Sequence, residues 1–426
     1  MKKILFSIVA LAFTTHVLAQ TNAELRALIQ ESFQYQPKLQ ELSKASEIGE
    51  IRVGMAESGY LPVISGNASY SYIDPVGETK FPVSATETRT IQFQPNNNYN
   101  VNVGLNQVIW DFGRTQAQIE KAKVDLLVTK QNTEAAKLQL ATQVVNIYYS
   151  LVYLKKAVIL QDSVIASYTK NRTLIENKLK QGDALKVDLS NIDNTIHQEL
   201  NRKVDFQRQY DRQQALLQYT TGRTAELSGV EFDFQFASTT EFSAVANPDL
   251  IAADQRITAS SADFKLAQRN RMPSLNFQAS AGMRNGYQPD IDEFRFNYLA
   301  GVTLSIPIFQ GGRIRQNVSL ARKSMELSEI SKQNLNATLL KDWQSANADL
   351  CAYNEQLKNA MIQIETAQEA QRLTQVRYDR GVATSVDLVF ATTNLQRSQL
   401  NQLQYQYQAC LANAELARVE GRKFWE

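Results

Sequence analysis

The stretches QGDALKVDL (Gln181–Leu189) and RGVATSVDL (Arg380–Leu388) are two copies of one turn. In each, a glycine is followed five positions later by Val-Asp-Leu. The copies stand 199 residues apart, and the same offset joins Gly113-Arg114 to Gly312-Arg313 and Gly222-Arg223 to Gly421-Arg422. Upstream the offset becomes 211, with Pro37-Lys38-Leu39 answering Pro248-Asp249-Leu250 and Leu61-Pro62 answering Met272-Pro273. The first copy therefore carries twelve additional residues between Pro62 and Gly113. Two constant offsets separated by one localised insertion are the mark of a tandem duplication.

Working outward from the turns, the flanking segments read as very long helices. Neither Arg114–Gln181 nor Arg313–Asp379 contains a glycine or proline. At 1.5 Å per residue each helix would run roughly 100 Å. Their apolar period is seven. Trp343, Leu350, Leu357 and Ile364 form one seam, with Ala346, Tyr353, Ala360 and Ala367 three positions on. The first copy repeats this with Val144, Leu151, Val158 and Ile165 beside Ile147, Leu154 and Tyr168. A sustained heptad makes helices coil around neighbours. After each glycine turn a second helix returns, its seam in the second copy running through Leu400, Leu403, Tyr407, Cys410, Ala414 and Ala417. Two antiparallel helical hairpins are expected.

The remaining segments alternate as strands do. Tyr99, Val101, Val103 and Leu105 interleave with Asn100, Asn102, Gly104 and Asn106. Leu275, Phe277, Ala279, Ala281 and Met283 interleave with polar or small residues, as do Phe296, Tyr298, Ala300, Val302, Leu304 and Ile306. Runs of this length, apolar on one face only and ending in aromatics, fit transmembrane β-strands. An ordinary half-buried sheet shows the same alternation; the exported chain and the charge-free strand interiors favour the membrane reading. Four strands cannot close a barrel, and unpaired edges are forbidden in lipid, so the chain must oligomerise through them.

Residues 1–19 read as a signal peptide: Lys2 and Lys3, an apolar core from Ile4 to Phe13, then Val17-Leu18-Ala19 before Gln20. No cysteine follows the cleavage point, so a lipid anchor is not expected. The organisation reads as a first repeat over 20–222, a linker over 223–247 and a second repeat over 248–426. The first repeat holds a helix, strands about 61–73 and 98–109, and helices 113–180 and 185–221. The second holds a helix, strands about 273–284 and 295–308, and helices 312–379 and 385–420. The twelve extra residues fall most naturally in the loop from Asp74 to Asn98. Val230–Phe236 alternates through Phe232 and Phe234 and suggests a short strand in the linker.

NPDL (Asn247–Leu250), SGYLP (Ser58–Pro62), SIPIFQGGR (Ser305–Arg313) and RYDRGVATSVDLVFATT (Arg377–Thr393) carry a resemblance to the TolC-like outer-membrane efflux proteins, spanning the whole mature chain. The resemblance implies a mixed fold, α with transmembrane β. Three protomers would each give four strands to a twelve-stranded barrel and two coiled-coil hairpins to a twelve-helix periplasmic tunnel. It implies a homotrimer in the outer membrane of a Gram-negative bacterium, in contact with outer-membrane lipid. The helical part would lie in the periplasm, docked on a periplasmic adaptor and an inner-membrane transporter.

It also implies a pore constriction just past the turns. Asp387 and its repeat partner Asp188 fall at one such position. Phe390 and Asn191 fall three residues on, where aspartate is common in the family, giving one polar and one apolar ring. Clustered carboxylates would raise one another's pKa and attract cations, and an apolar ring can gate by dewetting. Tyr378 matches a position linked to holding the closed state, with Leu179 as its counterpart. The tips, Gly182 and Asp183 with Gly381 and Val382, would face the adaptor. A simpler role for both aspartates is also open, since first-turn carboxylates favour a helix N-terminus, with Ser385 as N-cap.

Enzyme chemistry has little footing. His197 is the one histidine outside the signal segment, so no catalytic triad or metal set can be built on histidine. No cofactor motif appears, and a net charge of +2 gives no case for nucleic acid. Cys351 and Cys410 stand nearly level across the second hairpin; whether they pair is left open. The reading is a passive exit duct of a tripartite efflux pump. An exit duct for type I protein secretion and a trimeric coiled-coil adhesin or fibre are the alternatives.

Overall fold

The computed structural model describes residues 23–84, 87–224, 231–234 and 241–426. The signal segment lies outside the described residues. Among the described residues there are seven α-helices: α1 (Ala23–Tyr35), α2 (Pro37–Glu57), α3 (Arg114–Gln181), α4 (Lys186–Thr221), α5 (Pro248–Arg269), α6 (Arg313–Asp379) and α7 (Ser385–Glu420). The described strands are β1 (Val63–Tyr72), β2 (Glu78–Pro82), β3 (Thr88–Gln92), β4 (Asn97–Trp110), β5 (Ser274–Arg284) and β6 (Arg295–Ser305). The duplication is structural as well. α3 and α6 span 68 and 67 residues, and α4 and α7 both span 36. Gly113 and Gly312, Gly182 and Gly381, and Gly222 and Gly421 all take positive φ.

Two compact units result. One comprises residues 44–130 and 253–331 and holds the sheets. β1, β4, β5 and β6 pair antiparallel in that order, leaving β1 and β6 as edges. Along β4 the apolar face is the more exposed one: Tyr99, Val101 and Val103 are exposed, while Asn98, Asn100 and Asn102 on the opposite face are half-buried. Asn102 donates to Asn100 at 3.1 Å, and Asn67 reaches Asn102 at 3.4 Å, so polar side chains satisfy one another across that face. This inversion is what a lipid-facing strand needs. Gly282 is obligatory here, because a Cβ would stand 2.1 Å from the Val101 carbonyl oxygen.

Three strand expectations are corrected. β6 stops at Ser305 rather than near residue 308, because Pro307 has no N–H to give the ladder; Ile308 and Phe309 beyond it are exposed. The loop from Asp74 to Asn98 holds the unforeseen β2–β3 hairpin. In the linker, Val230, Gln235 and Phe236 lie outside the described residues, and Glu231–Phe234 form no ladder. Asp233 instead accepts from the Tyr149 hydroxyl at 2.6 Å, and Phe234 is buried beside Phe424.

The other unit, residues 23–43, 131–252 and 332–426 as described, holds both hairpins. Its core forms along the heptad seams. Val144, Ile147, Leu151, Leu154 and Tyr168 of α3 are buried, with Cys410, Ala414 and Ala417 of α7. Cys351 is exposed and Cys410 buried, and both are free thiols. No described helix is long and apolar enough to cross a membrane.

Candidate functional site

The site is assembled at the two turns, within the helical unit. Each long helix ends on a glycine that only a left-handed residue can serve. Gly182 has φ 87° and Gly381 has φ 74°. Asp183 N–H then reaches back to the Lys178 carbonyl at 2.8 Å, and Val382 N–H to that of Arg377 at 2.8 Å. These bonds close the orphan carbonyls of α3 and α6 in the same way. All four turn residues are exposed.

The returning helices begin differently. Thr384 caps α7: its hydroxyl oxygen accepts from Asp387 N–H at 3.1 Å. Asp387 Oδ2 reciprocates, accepting from Thr384 N–H and from the Thr384 hydroxyl, both at 2.8 Å. This capping box corrects the assignment of Ser385 as N-cap by one residue. Hydrogen bonds from Thr384, backbone first and then hydroxyl, hold the Asp387 carboxyl below the usual carboxylate range, with Arg377 adding in the same direction. At α4 the N-cap is Leu185, which has no side-chain acceptor. Asp188 alone serves that end, taking Leu185 N–H on Oδ2 at 3.0 Å.

The freed Ser385 does something else. Its hydroxyl donates to Asp188 Oδ1 at 2.7 Å, linking the two repeats. Lys178 makes a second link, donating to the Tyr378 carbonyl at 2.7 Å with its ammonium 3.9 Å from the Tyr378 ring centre. Tyr378 is only 5% exposed and packs with Val164, Tyr168, Ile175, Ile192 and Leu388. Burial, then the charges of Asp188 and Asp379, push its hydroxyl above the ordinary tyrosine value. Leu179, its counterpart, is half-buried.

Asp188 and Asp387 are thus equivalent in sequence and unequal in place. Asp188 is half-buried between the repeats, whereas Asp387 is exposed. Phe390 is 67% exposed, an unusual position for a phenylalanine in a packed hairpin, and Asn191 is exposed too. Together Asp387 and Phe390 border an open groove between α6 and α7.

Further up, one feature went unread in the sequence. Gln161 Nε2 donates to Glu199 Oε2 at 2.6 Å, and Gln396 Nε2 donates to the same oxygen at 2.7 Å and to Gln161 Oε1 at 3.1 Å. Arg202 donates to the other Glu199 oxygen at 2.8 Å. Glu199 and Gln396 are nearly sealed, 3% and 2% exposed. The signal was present: the α3 seam of Ile147, Leu154 and Tyr168 skips one heptad step, and Gln161 fills it. Tyr168 and Thr393 hydroxyls add a contact at 2.9 Å. Among the described residues no cluster of three or more His, Cys, Asp or Glu could hold a metal ion. The arrangement offers charge, an exposed aromatic ring and separable helix contacts.

Comparisons with known proteins agree with this architecture. A toxin and drug export protein A from Aggregatibacter actinomycetemcomitans is 24% identical over 312 residues, 69% of this chain and 66% of that protein. The solvent efflux pump outer membrane protein SrpC of Pseudomonas putida is 20% identical over 328 residues, 73% of this chain and 68% of that one. The crystal structure of the outer membrane protein VceC from Vibrio cholerae superposes with a TM-score of 0.79 at 18% identity, covering 94% of this chain and 97% of that one. The family model described as outer membrane efflux protein matches residues 28–223 and 243–422, one span in each repeat. The chain belongs to the outer membrane efflux protein family.

Proposed function

We propose that the protein is the passive outer-membrane exit duct of a tripartite efflux pump, working as a homotrimer. The observation that carries this reading is the sheet β1-β4-β5-β6, which exposes alternating apolar side chains such as Tyr99, Val101, Val103, Tyr298 and Val302 and is unpaired along both edges. Such a sheet is stable in lipid only when further copies continue it into a closed barrel. The helical hairpins would continue the duct through the periplasm, and the exposed turns Gly182-Asp183 and Gly381-Val382 would meet a periplasmic adaptor bound to an inner-membrane transporter. Asp387 and Phe390 would narrow the mouth, with Asp188 and Asn191 at the matching level of the first hairpin. Tyr378, with Leu179 as its counterpart, would help to hold the closed form. No energy source is assigned to the chain; flow follows the transporter.

The Aggregatibacter relative's name couples toxin with drug export, which keeps protein secretion as a second reading of the same duct. Gene neighbours separate the two: a proton-driven pump for small molecules, an ABC exporter for a secreted protein. Family membership leaves no room for the adhesin or fibre.

Single-channel recording in planar bilayers tests the proposal, with wild type beside an Asp387→Ala, Phe390→Ala double variant. A small cation-selective conductance that rises sharply in the variant is expected. An oligomer that folds but conducts no current would remove the duct.

A further inference from the structure

The strands β1, β4, β5 and β6 carry two charged side chains between them, Arg284 at the end of β5 and Arg295 at the start of β6. The ladder sets these two directly opposite each other, as the last pair of β5 and β6. Like charges facing across strands weaken a sheet, so the pair works against the fold at this point. The same row continues through Asn100, which pairs with Arg284, to Ser69, which pairs with Asn100. Paired residues share a face, so both arginines stand with Asn100, on the side opposite Val101, Met283 and Phe296.

One of the two charges is offset. The Glu293 carboxylate accepts from Arg295 Nε at 2.6 Å, and Arg295 Nη1 donates to the Gln288 carbonyl at 3.3 Å. Arg284 is exposed and has no ion pair among the described residues. Its guanidinium carbon lies 5.5 Å from the centre of the Tyr287 ring, a contact that positions the charge and leaves it uncancelled. The nearby loop acids are engaged elsewhere. Asp292 borders a groove with Tyr70, Val101 and Phe294, on the apolar side, and Asp290 accepts from the Asp292 N–H at 3.3 Å.

The helices α5 and α6 join this sheet at its other end, before Ser274 and after Ser305. The arginine row is therefore the end remote from the helices. With the polar face turned to the lumen, as in a membrane barrel, the row would ring the outward opening. We infer that Arg284 and Arg295 form a cationic collar at the exit of the lumen, which favours organic anions (carboxylates, sulfonates and phosphates) over cations as the molecules that leave. This rests on the reading of the protein as an oligomeric duct and adds a charge preference to it.

Rings of arginine or lysine are a means by which pores pass anions. Two guanidiniums per protomer make six in the trimer proposed above, and the three of Arg284 have no acidic partner. The collar and the Asp387 ring would be two filters in series, opposite in sign. While the mouth at Asp387 and Phe390 is narrow, that ring sets the selectivity and cations carry the current. Once it widens, the collar decides. Lipid headgroups also supply anions, but lipid meets the apolar face, on the far side of the sheet from both arginines.

Reversal potentials in planar bilayers of phosphatidylcholine, which has no net charge, test the collar. The full-length protein carries Asp387→Ala and Phe390→Ala to widen the mouth. With about 0.1 M KCl facing about 0.01 M, where the Debye length is about 10 to 30 Å, the widened channel is expected to prefer chloride about three- to sevenfold, the effect of a potential of about 0.5–1 kT at the row. Adding Arg284→Gln should bring the ratio to one or below, whereas Arg284→Lys should keep it high. Adding Glu293→Gln should raise it further. In about 1 M salt, where the Debye length is about 3 Å, the variants should converge. A widened channel that prefers potassium, or a chloride preference that Arg284→Gln leaves unchanged or Arg284→Lys also abolishes, would overturn the collar and leave the duct standing. So would a preference that appears only after lipopolysaccharide is added to the bilayer. A folded oligomer that passes no current would remove the duct, and the collar with it.

Discussion

Ser385 Oγ lies 2.7 Å from Asp188 Oδ1, so the first residue of the last helix is fastened to the first turn of a helix almost two hundred residues earlier. One repeat uses its aspartate to hold the other. The same geometry frees Ser385 from capping and leaves that role to Thr384.

Breaking this link is expected to loosen the tips without unfolding the hairpins. Ser385→Ala and Asp188→Ala each remove it, and a double-variant cycle should show the two effects to be non-additive, with a coupling of about 0.5–1.5 kcal/mol. Channel open probability is the readout. Additive effects would mean that the two side chains act separately.

The Asp387 carboxyl is held below its ordinary value of 3.8 by hydrogen bonds that need the ionised form. A lowered folded-state pKa stabilises above the unfolded value, and that contribution disappears as pH falls through the lowered one. Closure should therefore be flat from neutral pH into mild acid and weaken only in strong acid. Recording wild type and Asp387→Asn from pH 7 downward checks the sign; a change centred near neutrality would exclude this carboxyl as the cause.

Glu199 accepts from two buried amides. Glu199→Ala removes the side-chain acceptor both amides share, leaving Gln161 only the main-chain carbonyl of residue 199 and Gln396 only Gln161 Oε1, at about 1–3 kcal/mol in all. Glu199→Gln keeps an acceptor and should cost less, losing mainly the ion pair with the half-exposed Arg202. Thermal melting followed by helical circular dichroism should rank wild type above Glu199→Gln, and Glu199→Ala lowest.

Tyr378 separates packing from its hydroxyl. Lys178 uses the ring face and the main-chain carbonyl, neither of which Tyr378→Phe alters. That variant should keep wild-type conductance. Tyr378→Ala removes a buried ring and the cation–π contact, and should raise the basal current. Equal effects from both substitutions would point to the hydroxyl instead.

Much of this was legible from one offset. Gly182 and Gly381 announced their turns, because a helix that doubles back needs positive φ. The heptad seams announced which faces of α3 and α7 would be buried. Less was readable where a side chain had two local uses: Ser385 and Thr384 both suit an N-cap, and only the approach of Asp188 decides between them. Glu231–Phe234 alternates like a strand, but Tyr149 takes Asp233, and the segment packs by its rings. The β2–β3 hairpin is short, polar and exposed, so no burial period marks it. Contacts between repeats, such as Lys178 with Tyr378, depend on which hairpin face meets which, and a single helix's period does not encode that.

The unpaired edges of β1 and β6 bear on how the protein reaches its membrane. A lone protomer entering lipid would carry unpaired backbone along two strands of ten and eleven residues, at several kcal/mol for each group. If the protein is the oligomeric duct proposed above, insertion ahead of assembly is closed to it: copies would meet first or enter together, and the rate of appearance in the membrane should climb more steeply than in proportion to the amount of chain exported. A cell that halves its synthesis loses more than half its rate of supply.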